Sequence, residues 1–151
     1  MTLVSTEWLN NNLNKVKIFD ASWHMPNSNR NAHKEFLNKH IPGAMFWDID
    51  EHSDKDSPFP HMLPNSDYWT RMLWSFGIEN DDHIVVYDFS DVHSSCRLWF
   101  SLKYFGHKKV SVLDGFMKRW LKENRITSSE INKDIGKFSY IDKINTKNKY
   151  K

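Results

Sequence analysis

Four consecutive apolar residues, Ile84-Val85-Val86-Tyr87, run without a polar break into Asp88. A strand with one wet face alternates apolar and polar residues. An unbroken run is buried on both faces, which is the habit of a parallel sheet covered by helices. A polar stretch, residues 89–95, follows, and then an amphipathic segment, residues 96–105, closed by Gly106. In an α/β sheet this strand–loop–helix junction lies at the carboxyl end of a strand, where ligands meet the fold and backbone N–H groups gather around anions. The residue at the mouth of the loop is Asp88, which has no thiol chemistry.

The rest of the chain repeats the alternation. Ser5 with Glu7 opens a short helix running to Leu13. A buried strand is expected at 16–20, a polar loop at 26–31, a helix at 32–39 and a strand at 44–47. Residues 51–64 form a long loop rich in Pro, Ser and Asp; loops of that length in a compact domain serve function or are ordered by a partner. Asn65-Ser66 cap the next helix, Tyr68, Trp69, Met72, Leu73 and Phe76 give it an apolar face, and Gly77 ends it. A strand at 110–113 and a helix at 116–123 close the series. The fold class is α/β, with a central parallel sheet and helices on both faces.

At 151 residues with seven Trp and ten Phe, the chain suits one well-filled domain. The net charge of +2 is interspersed, so no clustered basic stripe points to nucleic acid. Apolar runs are too short to span a membrane. The single cysteine, Cys96, excludes an internal disulfide framework and fits a reducing compartment. No secretion signal opens the chain, so the expected location is cytoplasmic. From Thr127 the composition shifts to Ser, Asn, Lys and Ile, with one isolated strand signal at 138–141; the domain is expected to occupy 1–126. Lys137, Lys143, Lys147, Lys149 and Lys151 read as solvated charge.

Few residues point to chemistry by themselves. Cys96 lies amid Leu98, Trp99 and Leu102 and reads as a core thiol. Ser94 and Ser95 read as helix caps. Arg97 either holds an anion in the loop or forms an internal salt bridge. His52 and His93, with Asp54 or Asp91, lack a recognised metal-ligand spacing, and nothing calls for a cofactor. Phosphate-ester hydrolysis in such a loop needs a cysteine in a basic, glycine-containing turn, and residues 88–95 have neither.

His40-Ile41-Pro42-Gly43-Ala44 is a helix exit: Pro42 stops the helix, Gly43 permits a tight turn and Ala44 starts a strand. This pentapeptide resembles the hallmark of rhodanese-like domains. With it stand Leu3-Val4-Ser5-Thr6-Glu7-Trp8-Leu9, Asp20-Ala21-Ser22-Trp23, Phe46-Trp47-Asp48-Ile49-Asp50, His61-Met62-Leu63-Pro64, Arg97-Leu98-Trp99 and Leu113-Asp114-Gly115. In order and spacing, residues 3–125 resemble the first domain of two-domain sulfurtransferases that take sulfur from 3-mercaptopyruvate or thiosulfate.

The resemblance implies a three-layer fold and a catalytic cysteine in the second domain, which carries sulfur as a persulfide to a thiol or cyanide. No nucleophilic cysteine is then expected here. Asp88 occupies its position, and Asp88, Phe89, Ser90, Asp91, Val92, His93 and Ser94 form a vestigial active-site loop. Asp50 and His61 match an auxiliary pair proposed to work with a serine beside the distant cysteine. The implied partners are a second rhodanese domain, in cis or as a separate chain, and a small sulfur donor. Residues 127–151 then read as interdomain linker and the start of that domain. Two other readings stay open: a binding or regulatory module that docks a protein through residues 51–64, and a persulfide relay through Cys96. Phe89 and Phe116 depart from the family pattern, because glycine is common at both places.

Overall fold

A computed structural model describes residues 2–131. The elements alternate as β1 (Leu3–Val4), α1 (Thr6–Asn11), β2 (Lys17–Asp20), α2 (Ala32–Asn38), β3 (Ala44–Phe46), α3 (Ser66–Ser75), β4 (Ile84–Tyr87), α4 (Ser95–Tyr104), β5 (Val110–Leu113) and α5 (Phe116–Lys122). The five strands form one sheet in the order β1-β5-β4-β2-β3, and every pairing is parallel.

The uninterrupted run at 84–87 takes a central place, and all four of its side chains are buried. Its residues alternate between two cores. Ile84 and Val86 pack with Trp69, Met72, Leu98 and Leu102, while Val85 and Tyr87 pack with Leu9, Phe36, Met117 and Trp120. Helices α3 and α4 thus cover one face of the sheet and α1, α2 and α5 the other, which is the three-layer arrangement expected from the sequence. Capping follows the same local logic. Ser5, Asn31 and Asn65 each accept a backbone N–H from the first turn of the following helix.

One strand escapes the sequence reading. β1 is two residues long, paired with β5 at the sheet edge, too short to show a period. The strand signal at 138–141 lies outside the described residues. Ser128, at the start of the expected linker, forms an isolated antiparallel bridge with His40. No helix among the described residues is long and apolar enough to cross a membrane.

Trp69 is the pivot of the larger core. It is fully buried, stacked on Phe105 at 4.7 Å and edge-on to Trp47 at 6.4 Å. Trp69→Ala is expected to lower the free energy of unfolding by about 3–5 kcal/mol, the range for emptying a large aromatic site, as read from urea denaturation.

Candidate functional site

Because all five strands are parallel, the loops after β2, β3, β4 and β5 open at one edge of the sheet. The loop after β4 carries Asp88, whose side chain is shut away from solvent. Its Oδ1 accepts from the Ser90 backbone N–H at 3.1 Å and the Ser90 hydroxyl at 2.9 Å. Its Oδ2 accepts from the Ser95 N–H at 2.8 Å. One carboxylate thus satisfies the turn and the first N–H of α4 together.

That arrangement corrects the expectation that Ser94 and Ser95 cap the helix. Ser94 holds the N-cap position in helical backbone conformation and makes no side-chain cap bond; its hydroxyl donates instead to the Ala21 carbonyl at 2.7 Å. The Ser95 hydroxyl is buried without a partner among the described residues. Asp88 does the capping from seven residues upstream.

A second carboxylate stands beside the first. Asp20, at the end of β2, accepts from the Ser22 N–H at 2.9 Å and the Ser22 hydroxyl at 2.6 Å. The same Ser22 oxygen accepts the Phe89 N–H at 2.7 Å, tying β2 to the β4 loop. Burial pushes the Asp20 carboxyl up to about 6, helped by the Asp88 charge and opposed by Ser22. Burial likewise drives the Tyr87 phenol well above its ordinary value, with Asp20 adding to it.

The outer wall of the loop is braced by Arg30. Its guanidinium forks onto Glu35, with Nε 2.9 Å from Oε2 and Nη2 3.0 Å from Oε1. Nη2 also donates to the Phe89 carbonyl at 3.0 Å, and the guanidinium lies 5.2 Å from the Phe89 ring centre. On the other side His93 and Phe116 stack at 4.2 Å, 16° from parallel. Both adopt left-handed backbone, φ 50° and 58°, a region where a side chain is strained and glycine is not. Phe116 is one of the two family departures, and its φ is of the kind that glycine relieves. A cavity of about 280 Å³ remains, lined by Arg30, Phe89, His93, Phe116 and Lys118 among others.

The long loop brings Asp50 and His61 together. His61 Nε2 lies 2.7 Å from Asp50 Oδ1, and the Trp23 indole donates to Oδ2 at 3.2 Å. The Trp23 ring meets His61 edge-on at 5.0 Å, so one side chain braces both members. His61 has φ 60°, and the Arg97 guanidinium donates to its carbonyl. Arg97 enters no ion pair among the described residues; its Nε faces the Ser101 hydroxyl at 3.3 Å, and burial lowers its pKa. The pair is accessible, the Asp50 side chain being 63% exposed and that of His61 25%. Two shallow cavities flank Asp50, of about 310 Å³ on the Arg30 side and 360 Å³ on the His61 side. Arg30 lines the first of these and the Asp88 cavity alike, so the two adjoin at its side chain.

Of the remaining candidates, His93 and Asp91 line the Asp88 cavity. Cys96 is half-buried in the first turn of α4, and burial together with the Asp88 charge pushes its thiol up, away from the thiolate form. His52 stacks on Trp47 and meets the Tyr68 hydroxyl at 2.8 Å; burial lowers its pKa. No group of three or more metal-ligating side chains occurs among the described residues. Arg30 and Glu35 had no role in the sequence reading, and Trp23 entered it only within the Asp20–Trp23 motif. The available signal was an indole three positions past a strand end, and an Arg–Glu pair five residues apart across a helix cap.

The chain resembles known proteins over most of its length. The family model described as "Rhodanese-like domain" matches residues 5–123. The mouse 3-mercaptopyruvate sulfurtransferase is 40% identical over 146 residues, which is 91% of this chain and 49% of that protein. The bovine thiosulfate sulfurtransferase is 43% identical over 136 residues, 85% of this chain and 46% of its own length. Among solved structures, SseA from Escherichia coli, described as a 3-mercaptopyruvate sulfotransferase, superposes with a TM-score of 0.81 at 35% identity, covering 87% of this chain and 52% of SseA. The chain spans about half the length of the curated relatives it matches.

The raised Asp20 carboxyl gives a pH dependence with a definite sign. Its folded pKa of about 6 lies above the ordinary carboxylate value. Its contribution to stability is therefore full below about pH 4 and is lost as the pH rises through 6. Asp20→Asn keeps an accepting oxygen for Ser22 and carries no charge. It is expected to flatten the pH 4–7 stability profile, removing a loss of a few kcal/mol, as measured by urea unfolding at each pH.

Proposed function

The chain belongs to the rhodanese-like domain family, and on that premise we propose that it serves as the non-catalytic first domain of a sulfurtransferase. Its role is to form one wall of the substrate cleft and to present Asp50 and His61 to chemistry on a second rhodanese domain, joined in cis or supplied as a separate chain. The observation that carries this reading is Asp88. The loop position where the family holds its nucleophile is filled by a buried carboxylate whose oxygens are occupied by Ser90 and Ser95. Such a residue stabilises a loop and attacks nothing.

The chemistry assigned to the partner is sulfur transfer. A thiolate attacks the terminal sulfur of the donor, an S–S bond forms, and the bond from that sulfur to the rest of the donor breaks. From thiosulfate the leaving group is sulfite, a stable anion. From 3-mercaptopyruvate it is the enolate of pyruvate, which needs a proton. A histidine oriented by a carboxylate moves a proton well near neutral pH, and the Asp50–His61 pair is open to solvent. The pair therefore favours 3-mercaptopyruvate as donor.

Two measurements test the reading. The isolated 151-residue chain is expected to form no persulfide and to turn over neither donor; turnover at an ordinary enzymic rate overturns the proposal. Combined with a catalytic rhodanese domain, His61→Ala is expected to lower kcat with 3-mercaptopyruvate by about 10²-fold or more, the scale of general acid–base catalysis, while thiosulfate turnover changes little. Failure of the combined chains to associate or to transfer sulfur supports the binding-module alternative instead.

A further inference from the structure

Arg97 stands in the first turn of α4, two residues past Ser95, where its own helix gains nothing from it. The amino end of a helix favours acids and disfavours cations, yet Arg97 is there and no acid shares the turn. The side chain is partly buried, which works against its charge. No carboxylate among the described residues forms an ion pair with it. A residue that breaks so many local rules has its use outside the helix.

The contacts of the guanidinium show where that use lies. Its Nη2 donates to the His61 carbonyl, and its Nε donates to the Ser101 hydroxyl at 3.3 Å. Ser101 is buried one turn further along α4, and its hydroxyl donates to the Arg97 carbonyl at 3.0 Å. The helix thus holds the fork from behind while the fork holds the long loop in front. The Asp88 carboxylate fixes the Ser95 N–H at the start of the same turn, so the vestigial loop sets where Arg97 is mounted.

His61 needs such a hold. It lies in the connection between β3 and α3, which contains no helix or strand. Its left-handed backbone, φ 60°, persists in a residue other than glycine only where the surroundings impose it. Asp50 is set independently, by its own N–H bond to Asp48 Oδ1 at 2.9 Å and by the Trp23 indole. Nothing in that placement fixes an imidazole eleven residues further on. The adjoining Met62 carbonyl accepts the Asp54 N–H at 2.8 Å, which closes the loop on itself. The bond that ties the His61 main chain to a helix is the one from Arg97.

We propose that Arg97 is the positioning residue of the Asp50–His61 pair: by holding the His61 carbonyl from α4, it fixes the turn that aims the imidazole at Asp50. Arg97 itself touches no reacting atom. The assignment rests on the reading of that pair as a proton-moving group of the cleft. It also gives the vestigial loop a use, as the mount of the residue that aims the pair.

Arg97→Met keeps the length of the side chain and removes its donors and its charge. In the 151-residue chain, nuclear Overhauser contacts between the Trp23 and His61 rings, which meet at 5.0 Å, report the aim of the imidazole. They are expected to weaken severalfold in Arg97→Met, while those between Trp69 and Phe105 stay as they are. Ser101→Ala loosens the guanidinium without removing it. It is expected to weaken the same contacts by less, and it decides the matter if Arg97→Met does not fold. Unchanged Trp23–His61 contacts, or a loss that spreads equally through the Trp69 core, overturn the proposal. Combined with a catalytic rhodanese domain, Arg97→Met is expected to lower kcat with 3-mercaptopyruvate about tenfold or more, within the cost of a small misplacement, with KM little changed. In a His61→Ala background it should add nothing. A raised KM at unchanged kcat, or a loss that persists without His61, makes Arg97 a donor-binding group and overturns the proposal. If His61→Ala alone leaves turnover unchanged, the sulfur-transfer reading fails, and the ring contacts still decide what Arg97 does.

Discussion

The Asp88 carboxylate, buried between a strand end and a helix start, sets the form of the whole candidate site. A buried charge is tolerated only when its hydrogen-bonding capacity is used, and here Ser90 and Ser95 use it. The bond to Ser95 fixes where α4 begins, and the two to Ser90 fix the turn that precedes it. Ser22 then reaches across from β2 to hold Phe89, and the Asp88 carbonyl receives the Met117 N–H at 3.0 Å, drawing the start of α5 to the same place. Three connections of the sheet meet at Asp88 and Phe89. A loop organised in this way has little freedom left to receive a ligand of its own.

Backbone strain gathers beside this loop. Gly115 has φ 83°, and a Cβ there would lie 2.5 Å from the Arg119 side chain, so this position must be glycine. The next residue, Phe116, is also left-handed yet carries a large ring, held by its stack on His93. Backbone strain of this kind persists where the surroundings over-determine it. On the long loop, Trp23 braces Asp50 and His61 together.

Much of this was legible in the sequence, for identifiable reasons. The buried run at 84–87, the capping Ser5 and Asn65, and the turn at Pro42-Gly43 are local signals, and each produced the element it implied. β1 was not legible, because two edge residues carry no period and their pairing with β5 is entirely non-local. Within the site, the pairing of Asp50 with His61 came only from family resemblance; nothing in an eleven-residue spacing requires a hydrogen bond. The cap of α4 was misassigned because Ser94 is the right residue type in the right place. The competing acceptor, Asp88, became visible only once the loop had folded back.

The central claim, that Asp88 is a structural lock in a nucleophile's place, is tested most directly by the unfolding free energy of Asp88→Ala. If the carboxylate holds the loop, its removal leaves buried donors unsatisfied and lowers stability by about 2–4 kcal/mol, with faster amide exchange at Ser90 and Ser95. If Asp88 is instead a functional acid kept against the interests of the fold, the variant will be as stable as the wild type or more so, and that result would contradict the account.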